Sequence, residues 1–317
     1  PEVMDRQLAF LHPALSEKRL RVYTDVMVDE VEKYLARWGE AGEVDLYDVM
    51  QELTTYIATR CLLGDEIRRH LNTEFAHQYH ELQAALNFTG FIFPRAPLPS
   101  VRRRDRARQE IAKIIGRIVA ERRAAGPAAE LHQDFLQTLL DARNPDGSPL
   151  PDDIIAGMLI TLIFAGQHTS SVMACWAGIE LHQHRNYLPI LQKELEDVYG
   201  GGAKLTRETL AKTQYLDWMV REAERLHPPL IMLFRAALKD FEYNGYVIPK
   251  GAWTMVSPHV AHRSPAVFSH PNQYWLERYA PGRAEDRKAL YTLIGFGGGK
   301  HRCVGTVFAY QQIKVIW

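Results

Sequence analysis

The stretch 151–183 constrains the fold of this chain most, because its pattern is typical of one long helix. Pro151 is a residue type favoured at a first helical position. Asp152 and Asp153 follow in the first turn, where the helix dipole favours negative charge. At ~1.5 Å per residue such a helix is roughly 50 Å long, enough to cross a whole domain. It is apolar nearly all round for several turns, so we expect it to be buried in a large core.

The rest of the chain is predicted to be mainly α, with a small β region near its end. Apolar residues at helical spacing predict helices over 17–38, 46–63, 72–86, 102–123, 188–198, 206–210, 216–226 and 306–317. Strands are predicted over 230–238, 241–243, 246–248 and 252–257. The dipeptide Asn244-Gly245 between two of these strands predicts a hairpin. The sequence contains no internal repeat or dividing linker, which predicts one domain over 1–317.

Charge and cysteine content exclude some classes of protein. Lys plus Arg and Asp plus Glu both number 38, so the formal net charge is zero. No global field therefore favours nucleic acid, and the basic helix 102–123 lacks the interleaved aromatic residues of a nucleic-acid surface. Cys61, Cys175 and Cys303 are odd in number and far apart. This argues against a disulfide framework and fits a reducing compartment.

The sequence shows no signal peptide, and we find no apolar run of ~18 residues that could span a membrane. The chain begins at Pro1 and ends at Trp317 inside a predicted helix. We therefore expect truncation at both ends, with any N-terminal anchor outside this sequence. The segment 88–99 is apolar, broken by prolines and too short to cross a bilayer. It is equally consistent with a covered core loop and with a loop that touches a membrane or lines a route for an apolar substrate.

A glycine-rich loop, 296–305, presents one cysteine immediately before the last predicted helix; its sequence is FGGGKHRCVG. Glycines let the backbone turn tightly and lie against a large flat surface. Amide groups at a helix start stabilise a thiolate and lower its pKa, so we expect this for Cys303. A thiolate presented in this way can be the axial ligand of haem iron. The alternative is a buried cysteine behind a flexible loop, but Phe296, His301 and Arg302 favour haem.

The middle of the long helix carries a second motif, AGQHTSS, over 165–171. Alanine and Gly166 leave a groove on one face, and glycine inside a helix costs ~1 kcal/mol relative to alanine. If the helix lies over haem, Thr169 is placed to hydrogen-bond dioxygen, and His168 to relay protons near neutral pH. A helix-packing glycine beside a surface histidine explains the same pattern. The motif alone leaves both interpretations open.

Two further groups of charged residues complete the pattern. Glu222 and Arg225 are three residues apart on one helix face, and with Arg278 they predict a network that braces the cysteine loop without taking part in the reaction. Arg235, in the first predicted strand, and His301 are candidates to pair with haem propionates. Arg6, near the chain start, is a third and weaker candidate for the same role.

In this order, the motifs resemble those of the cytochrome P450 superfamily, and more narrowly the sterol 14α-demethylase family. The narrower resemblance rests on 167–171, because most P450s carry an acidic residue before the threonine where this family carries histidine. The stretches 98–107, 134–142 and 308–310 also resemble that family. The resemblance implies a P450 fold and haem b as cofactor. Dioxygen would be the co-substrate, with electrons ultimately from NADPH through a ferredoxin or an NADPH-cytochrome P450 reductase.

The same resemblance implies residue roles and a reaction. Cys303 would bind the haem iron, Thr169 and His168 would form the oxygen and proton site, and Arg235 and His301 would bind the propionates. A sterol would lose its 14α-methyl group as formate after successive oxidations, in the cytoplasm or on the cytoplasmic side of a membrane.

Two positions depart from the family's pattern. The residues 83–86 are Gln-Ala-Ala-Leu where the family usually has Asp-Gly-Gly-Phe, and Leu276 replaces a proline. The first departure keeps open a hydroxylase of another apolar polycycle or terpenoid. A haem-binding relative without turnover is a further alternative, although a pure binder needs no oxygen groove.

Overall fold

The computed structural model of the chain is mainly helical, as predicted, with two small antiparallel sheets. It describes residues 2–65, 78–79, 81–82, 98–126 and 132–317, with side chains from Leu8 onward. The helices are α1 (Glu2–Ala14), α2 (Glu17–Leu35), α3 (Leu46–Leu63), α4 (Pro99–Ala125), α5 (Phe135–Asp141), α6 (Asp152–Gln183), α7 (Leu188–Tyr199), α8 (Arg207–Leu210), α9 (Gln214–Leu226), α10 (Pro258–Ala261) and α11 (Thr306–Ile316). The strands are β1 (Leu233–Ala236), β2 (Phe241–Tyr243), β3 (Tyr246–Ile248) and β4 (Trp253–Val256).

Helix α6 is the predicted long helix, and its 32 residues begin directly after Pro151. The expectation that the chain has no apolar segment long enough to span a membrane was wrong. By length and composition α6 is apolar enough to cross a membrane, with an 18-residue window of mean hydropathy 1.3. Half of that window is buried inside the structure. A core helix passes the same test, so this one segment is weak evidence for a membrane span.

The chain divides into two compact units, Pro1–Glu43 with Gln51–His168, and Val44–Met50 with Thr169–Trp317. The first unit has a core built mainly by α4, α5 and the first half of α6. Its fully buried members include Ile111, Ile115, Val119, Leu136, Leu139, Leu159 and Ile163. Two of its polar residues are also buried: Arg122 donates to both carboxylate oxygens of Asp134 at 2.7 Å and to the Leu63 carbonyl at 3.1 Å. This pair fixes the start of α5, a helix that the sequence analysis did not predict.

The second unit is organised around α9, which packs against α7 and α11. The apolar side of α9 carries buried residues at helical spacing, namely Leu216, Met219, Val220, Ala223 and Leu226. Three charged residues on the same helix are also buried, namely Glu222, Glu224 and Arg225. Because burying an unpaired charge is costly, these residues need partners inside the unit.

The two sheets follow α9 in the second unit. The β2–β3 hairpin is confirmed, with Tyr243 paired to Tyr246 across the turn. Asn244 and Gly245 have φ of 49° and 79°, the left-handed conformation at both turn positions that this kind of hairpin requires. Strand β1 pairs antiparallel with β4, so that Arg235 lies opposite Thr254.

Some expectations fall outside the described residues. They are most of the predicted helix 72–86, the departure at 83–86 and the part of the apolar segment from 88 to 97. Helix α4 begins where that segment ends, with Pro99 at its first position.

Candidate active site

Backbone geometry shapes the cysteine loop in the second unit. Gly297 and Gly299 have φ of +73° and +60°, where residues with a side chain are strained. The Cys303 amide donates to the Phe296 carbonyl at 2.8 Å and closes the loop. A Cβ added to Gly298 would lie 2.8 Å from the ring of Tyr291, so this glycine is required by close packing. Nothing in the sequence motif predicts this contact with Tyr291.

Cys303 is exposed, and α11 begins three residues later at Thr306. The residue as a whole is exposed, but the loop atoms around the thiol partly desolvate it, and this raises its pKa above the ordinary value for cysteine. The Gly305 amide, the Thr306 hydroxyl and Arg302 act in the opposite direction and do not outweigh it. The expectation of a lowered pKa for Cys303 was therefore wrong for the chain alone, although the amide acts in the expected direction. A thiolate at this position needs further positive charge.

A buried histidine connects α9 to the segment in front of the loop. His262 is 0% exposed, and its Nδ1 lies 3.2 Å from the Arg225 carbonyl. Its Nε2 accepts the Ile294 amide at 2.8 Å. Both contacts are satisfied by a neutral imidazole with its proton on Nδ1. Burial lowers the pKa of His262 to about 4, in agreement with that neutral form. Sequence reasoning gave no role to this residue.

We expect His262 to make stability depend on pH. The unfolded chain takes up a proton near the ordinary histidine pKa, whereas the folded chain resists protonation until about pH 4. The free energy of unfolding should therefore fall as the pH drops from about 6.5 to about 4, by roughly 3 kcal/mol in total. Urea unfolding of the parent and of His262→Gln at about pH 7 and about pH 4.5 measures this. Equal pH dependence in the two proteins would contradict it.

The predicted brace residues meet in one buried cluster. Glu222, Arg225 and Arg278 are each 0% exposed. Arg225 donates to both carboxylate oxygens of Glu222, at 2.8 and 2.7 Å. Arg278 donates from Nε to Glu222 at 3.0 Å and from Nη1 to Glu285 at 2.7 Å. The two guanidinium groups are therefore balanced by two carboxylates.

Further hydrogen bonds anchor this cluster to the surrounding loops. The Tyr279 hydroxyl donates to Glu222 at 2.8 Å, and the Trp275 amide donates to it at 3.0 Å. The remaining guanidinium protons go to backbone carbonyls, namely those of His262, Ser269, His270, Pro271 and Gln273. The brace therefore fixes the course of the chain over 262–279. Tyr279 and Glu285 were missed by the sequence analysis.

The oxygen-groove motif lies on α6, within the described residues. Among the residues that the structure describes, no atom lies within 4 Å of a Cβ added to Gly166. Gln167 is buried and accepts from the Tyr79 hydroxyl at 3.2 Å. His168 is exposed and is the last residue of the first unit, whereas Thr169 is half-buried and belongs to the second.

The candidate propionate partners are not joined to Cys303 by any hydrogen bond or ion pair within the described part of the chain. Arg235, half-buried on β1, donates to the Phe234 carbonyl at 2.7 Å. His301 is exposed in a single 3₁₀ turn of the loop. Arg6 belongs to α1, but its side chain lies outside the described set.

Comparison with known proteins gives these features a family. The family model described as cytochrome P450 matches residues 5–317. The chain belongs to the cytochrome P450 family. It is similar to obtusifoliol 14-alpha demethylase of Sorghum bicolor, with 39% identity covering 99% of this chain and 65% of that protein. Identity to the sterol 14alpha-demethylase of Mycobacterium tuberculosis is 38%, covering 99% and 70%.

A solved structure supports the P450 fold. The retinoic acid-bound cyanobacterial CYP120A1 has a TM-score of 0.87 and 26% identity, covering 100% of this chain and 70% of that one. The predicted mainly helical P450 fold is thus confirmed. The chain spans 65% of the length of the sorghum relative. The cofactor of this family is haem.

The residues of the second unit fit haem chemically. The exposed thiol of Cys303 is a soft donor suited to iron, and the loop that presents it is shaped by glycines with left-handed backbone. Arg235 and His301 in the same unit are basic groups that leave donors for carboxylates. The raised pKa of Cys303 is also consistent, because a bound ferric iron supplies the positive charge that the amides do not.

Proposed function

We propose that the protein is a haem-thiolate monooxygenase that oxidatively removes the 14α-methyl group of a sterol. The observation that carries this proposal is the exposed Cys303 on a glycine-shaped loop in a chain of the P450 family. The relatives named as 14-demethylases supply the substrate class, at 38–40% identity over almost all of this chain. We further propose that 1–317 acts as one catalytic domain.

Haem, when bound, supplies the activation of dioxygen for insertion into a carbon–hydrogen bond. Cys303 would hold its iron through the thiolate sulfur. Arg235 and His301 would hold the propionates by charge-assisted hydrogen bonds, and Arg6 is a third candidate for that role. Glu222, Arg225 and Arg278 would keep the chain around the loop in place without contacting the reacting atoms.

Thr169 and His168 are the residues that we propose for proton handling. The Thr169 hydroxyl is both donor and acceptor, so it can hydrogen-bond an oxygen atom and pass a proton to it. The imidazole of His168 is exposed, and its two ring nitrogens can accept and donate protons. Together they would carry protons from solvent to the oxygen site.

We expect His168→Ala to lower the turnover number about tenfold or more, because positioned proton transfer contributes roughly 10²–10⁴ to a rate. Sterol affinity should change by less than about twofold, since the residue is assigned to protons and not to substrate. The measurement is steady-state turnover with a reductase, beside a spectral titration of the bound sterol. An unchanged turnover number would refute the relay. His182→Ala, a change of an exposed histidine near the end of α6, is the matched control.

The full-length protein, incubated with a 14α-methyl sterol and a redox partner, tests the substrate. Release of formate together with the demethylated sterol is expected. Turnover of the sterol without formate would favour the second candidate, a hydroxylase of another apolar polycycle or terpenoid. That candidate is motivated by the departure at 83–86.

The third candidate, a haem-binding relative without turnover, predicts no oxidation of any sterol. Haem binding with the spectrum of a thiolate ligand but without consumption of NADPH would support it. The intact Thr169 and His168 argue against it, because a binding protein has no need of a proton path.

We propose a ferredoxin or an NADPH-cytochrome P450 reductase as the redox partner. The exposed cations Arg287, Lys288, Lys300 and Arg302 would meet acidic groups of that partner. All three cysteines are free, in agreement with a location in the cytoplasm or on the cytoplasmic side of a membrane. Nothing in the charge or composition supports nucleic acid as a partner.

A further inference from the structure

Helix α9 carries a second buried glutamate, Glu224, two residues after Glu222. Among the described residues, it takes no part in the hydrogen bonds of the brace. Glu224 is only 3% exposed. Its carboxylate accepts a hydrogen bond from the Tyr310 hydroxyl on α11 and another from the Gly295 amide. It makes no hydrogen bond to the guanidinium groups of Arg225 or Arg278 within the described residues. Glu224 and Tyr310 therefore form a pair separate from the brace.

This pair lies against the start of the cysteine loop. A Cβ added to Gly295 would come within 2.6 Å of the Glu224 side chain, so the loop backbone and the carboxylate are in direct contact. The ring of Tyr310 packs against that of Phe296, with 5.6 Å between centroids. The Phe296 carbonyl in turn accepts the Cys303 amide. A continuous set of contacts therefore joins Glu224 to the backbone of the cysteine.

Two arginines, Arg221 and Arg302, lie near Glu224 and Tyr310 and affect their charge state. Arg221 lies 5.7 Å from the Tyr310 ring centroid and is paired with Asp217 and Asp286. The positive charge of Arg302, in the loop, lowers the pKa of Glu224. The negative charge of Glu224 in turn raises the pKa of the Cys303 thiol.

Burial raises the pKa of Glu224 to about 7, and the Tyr310 hydroxyl, Arg221, the Gly295 amide and Arg302 act to lower it. The carboxyl is thus ionised above neutral pH, in contact with Gly295 at the start of the loop. An anion held beside the loop disfavours the addition of further negative charge to it.

We propose that Glu224 and Tyr310 are positioning residues that hold the Cys303 loop in place and add a negative charge behind the cysteine, lowering the reduction potential of the haem it ligates. This inference rests on the proposed haem-thiolate function. It assigns the pair a role that differs from the brace, since the brace fixes 262–279 whereas this pair contacts the loop itself.

Two conservative variants test the proposal in the haem-loaded full-length protein. Glu224→Gln keeps the shape and removes the charge, and Tyr310→Phe keeps the ring and removes the hydroxyl. At about pH 8, Glu224→Gln should raise the ratio of reduced to oxidised haem about threefold at a fixed applied potential, a shift of about 30 mV for one electron. Tyr310→Phe should lower the fraction of reduced protein whose carbon-monoxide spectrum is that of thiolate-ligated haem. Unchanged potential and spectrum in both variants would overturn the proposal.

A matched control separates this effect from general loss of a buried hydroxyl. The Tyr34 hydroxyl donates to Glu52 at 3.0 Å in the first unit, whereas the cysteine loop belongs to the second. Tyr34→Phe should leave the potential and the spectrum as in the parent. An equal shift in this control would also overturn the proposal, because the effect would then not depend on the loop.

A second measurement needs no haem. Alkylation of the exposed Cys303 by iodoacetamide, followed by mass spectrometry of its peptide, reports how well the loop is held. In haem-free protein, Tyr310→Phe and Glu224→Gln should each change this rate about threefold or more, and equal rates would overturn the positioning role. If the parent never shows thiolate-ligated haem, the proposed function fails, and the alkylation rates still decide the positioning role.

Discussion

Cys303→Ala is expected to abolish thiolate ligation completely, whatever haem the variant still holds. The thiolate donates electron density to iron, and alanine has no donor atom to replace it. The reduced protein with carbon monoxide should lose the absorption band of thiolate-ligated haem, and monooxygenase turnover should fall to background. Because Cys303 is exposed, its loss leaves no cavity in a core, and the free energy of unfolding should change by less than about 1 kcal/mol.

A matched thiol elsewhere provides the control for this result. The buried Cys175 thiol contacts the Leu46 carbonyl at 3.7 Å, a contact that serine can also make. Cys175→Ser should retain the thiolate band and the turnover of the parent. A thiolate-type spectrum in Cys303→Ala would show that another residue binds the iron.

Local sequence signals predicted the elements well where neighbours along the chain decide the structure. The apolar run of α6, with Pro151 before it, and the Asn244-Gly245 turn were both found from the sequence. Helix α5 was not, because its seven residues give too few turns for a periodic signal. What fixes its start is the pairing of Asp134 with Arg122, which are twelve positions apart.

In the candidate site, too, the residues predicted from the sequence are those whose arrangement depends on neighbours along the chain. The spacing of Glu222 and Arg225 indicates a shared helix face, but the contribution of Tyr279 depends on how a distant loop folds back. His262 joins two backbone groups 32 or more residues away in sequence, and no motif surrounds it. Such residues act through tertiary contacts, which a single sequence does not encode in any local pattern.

The pKa of Cys303 could not be predicted from the sequence, because the sequence does not give the sizes of the opposing effects on it. The helix amides act in the predicted direction, and burial outweighs them. Whether an environment raises or lowers a pKa depends on opposing effects of similar size. The residue types around a cysteine identify those effects, and the folded geometry decides which is larger.

The brace predicts the largest loss of stability, because Glu222→Gln keeps the shape of the side chain while removing its charge. Arg278 would then keep Glu285, whereas Arg225 would lose its carboxylate partner, and a buried guanidinium group without a counter-charge is costly. We expect the free energy of unfolding to fall by roughly 3–5 kcal/mol, measured by urea unfolding followed by circular dichroism.

Glu277→Gln is the matched control for this change, because Glu277 is half-buried and accepts the Tyr187 hydroxyl at 2.8 Å outside the brace. It should cost about 1 kcal/mol or less. The two large effects can be told apart by experiment. Cys303→Ala should remove the thiolate spectrum from a protein that stays folded. Glu222→Gln should lose the thiolate spectrum and the folded structure together. If Glu222→Gln were as stable as the control yet inactive, the brace would not be structural, and Glu222 would have to act on the reaction itself.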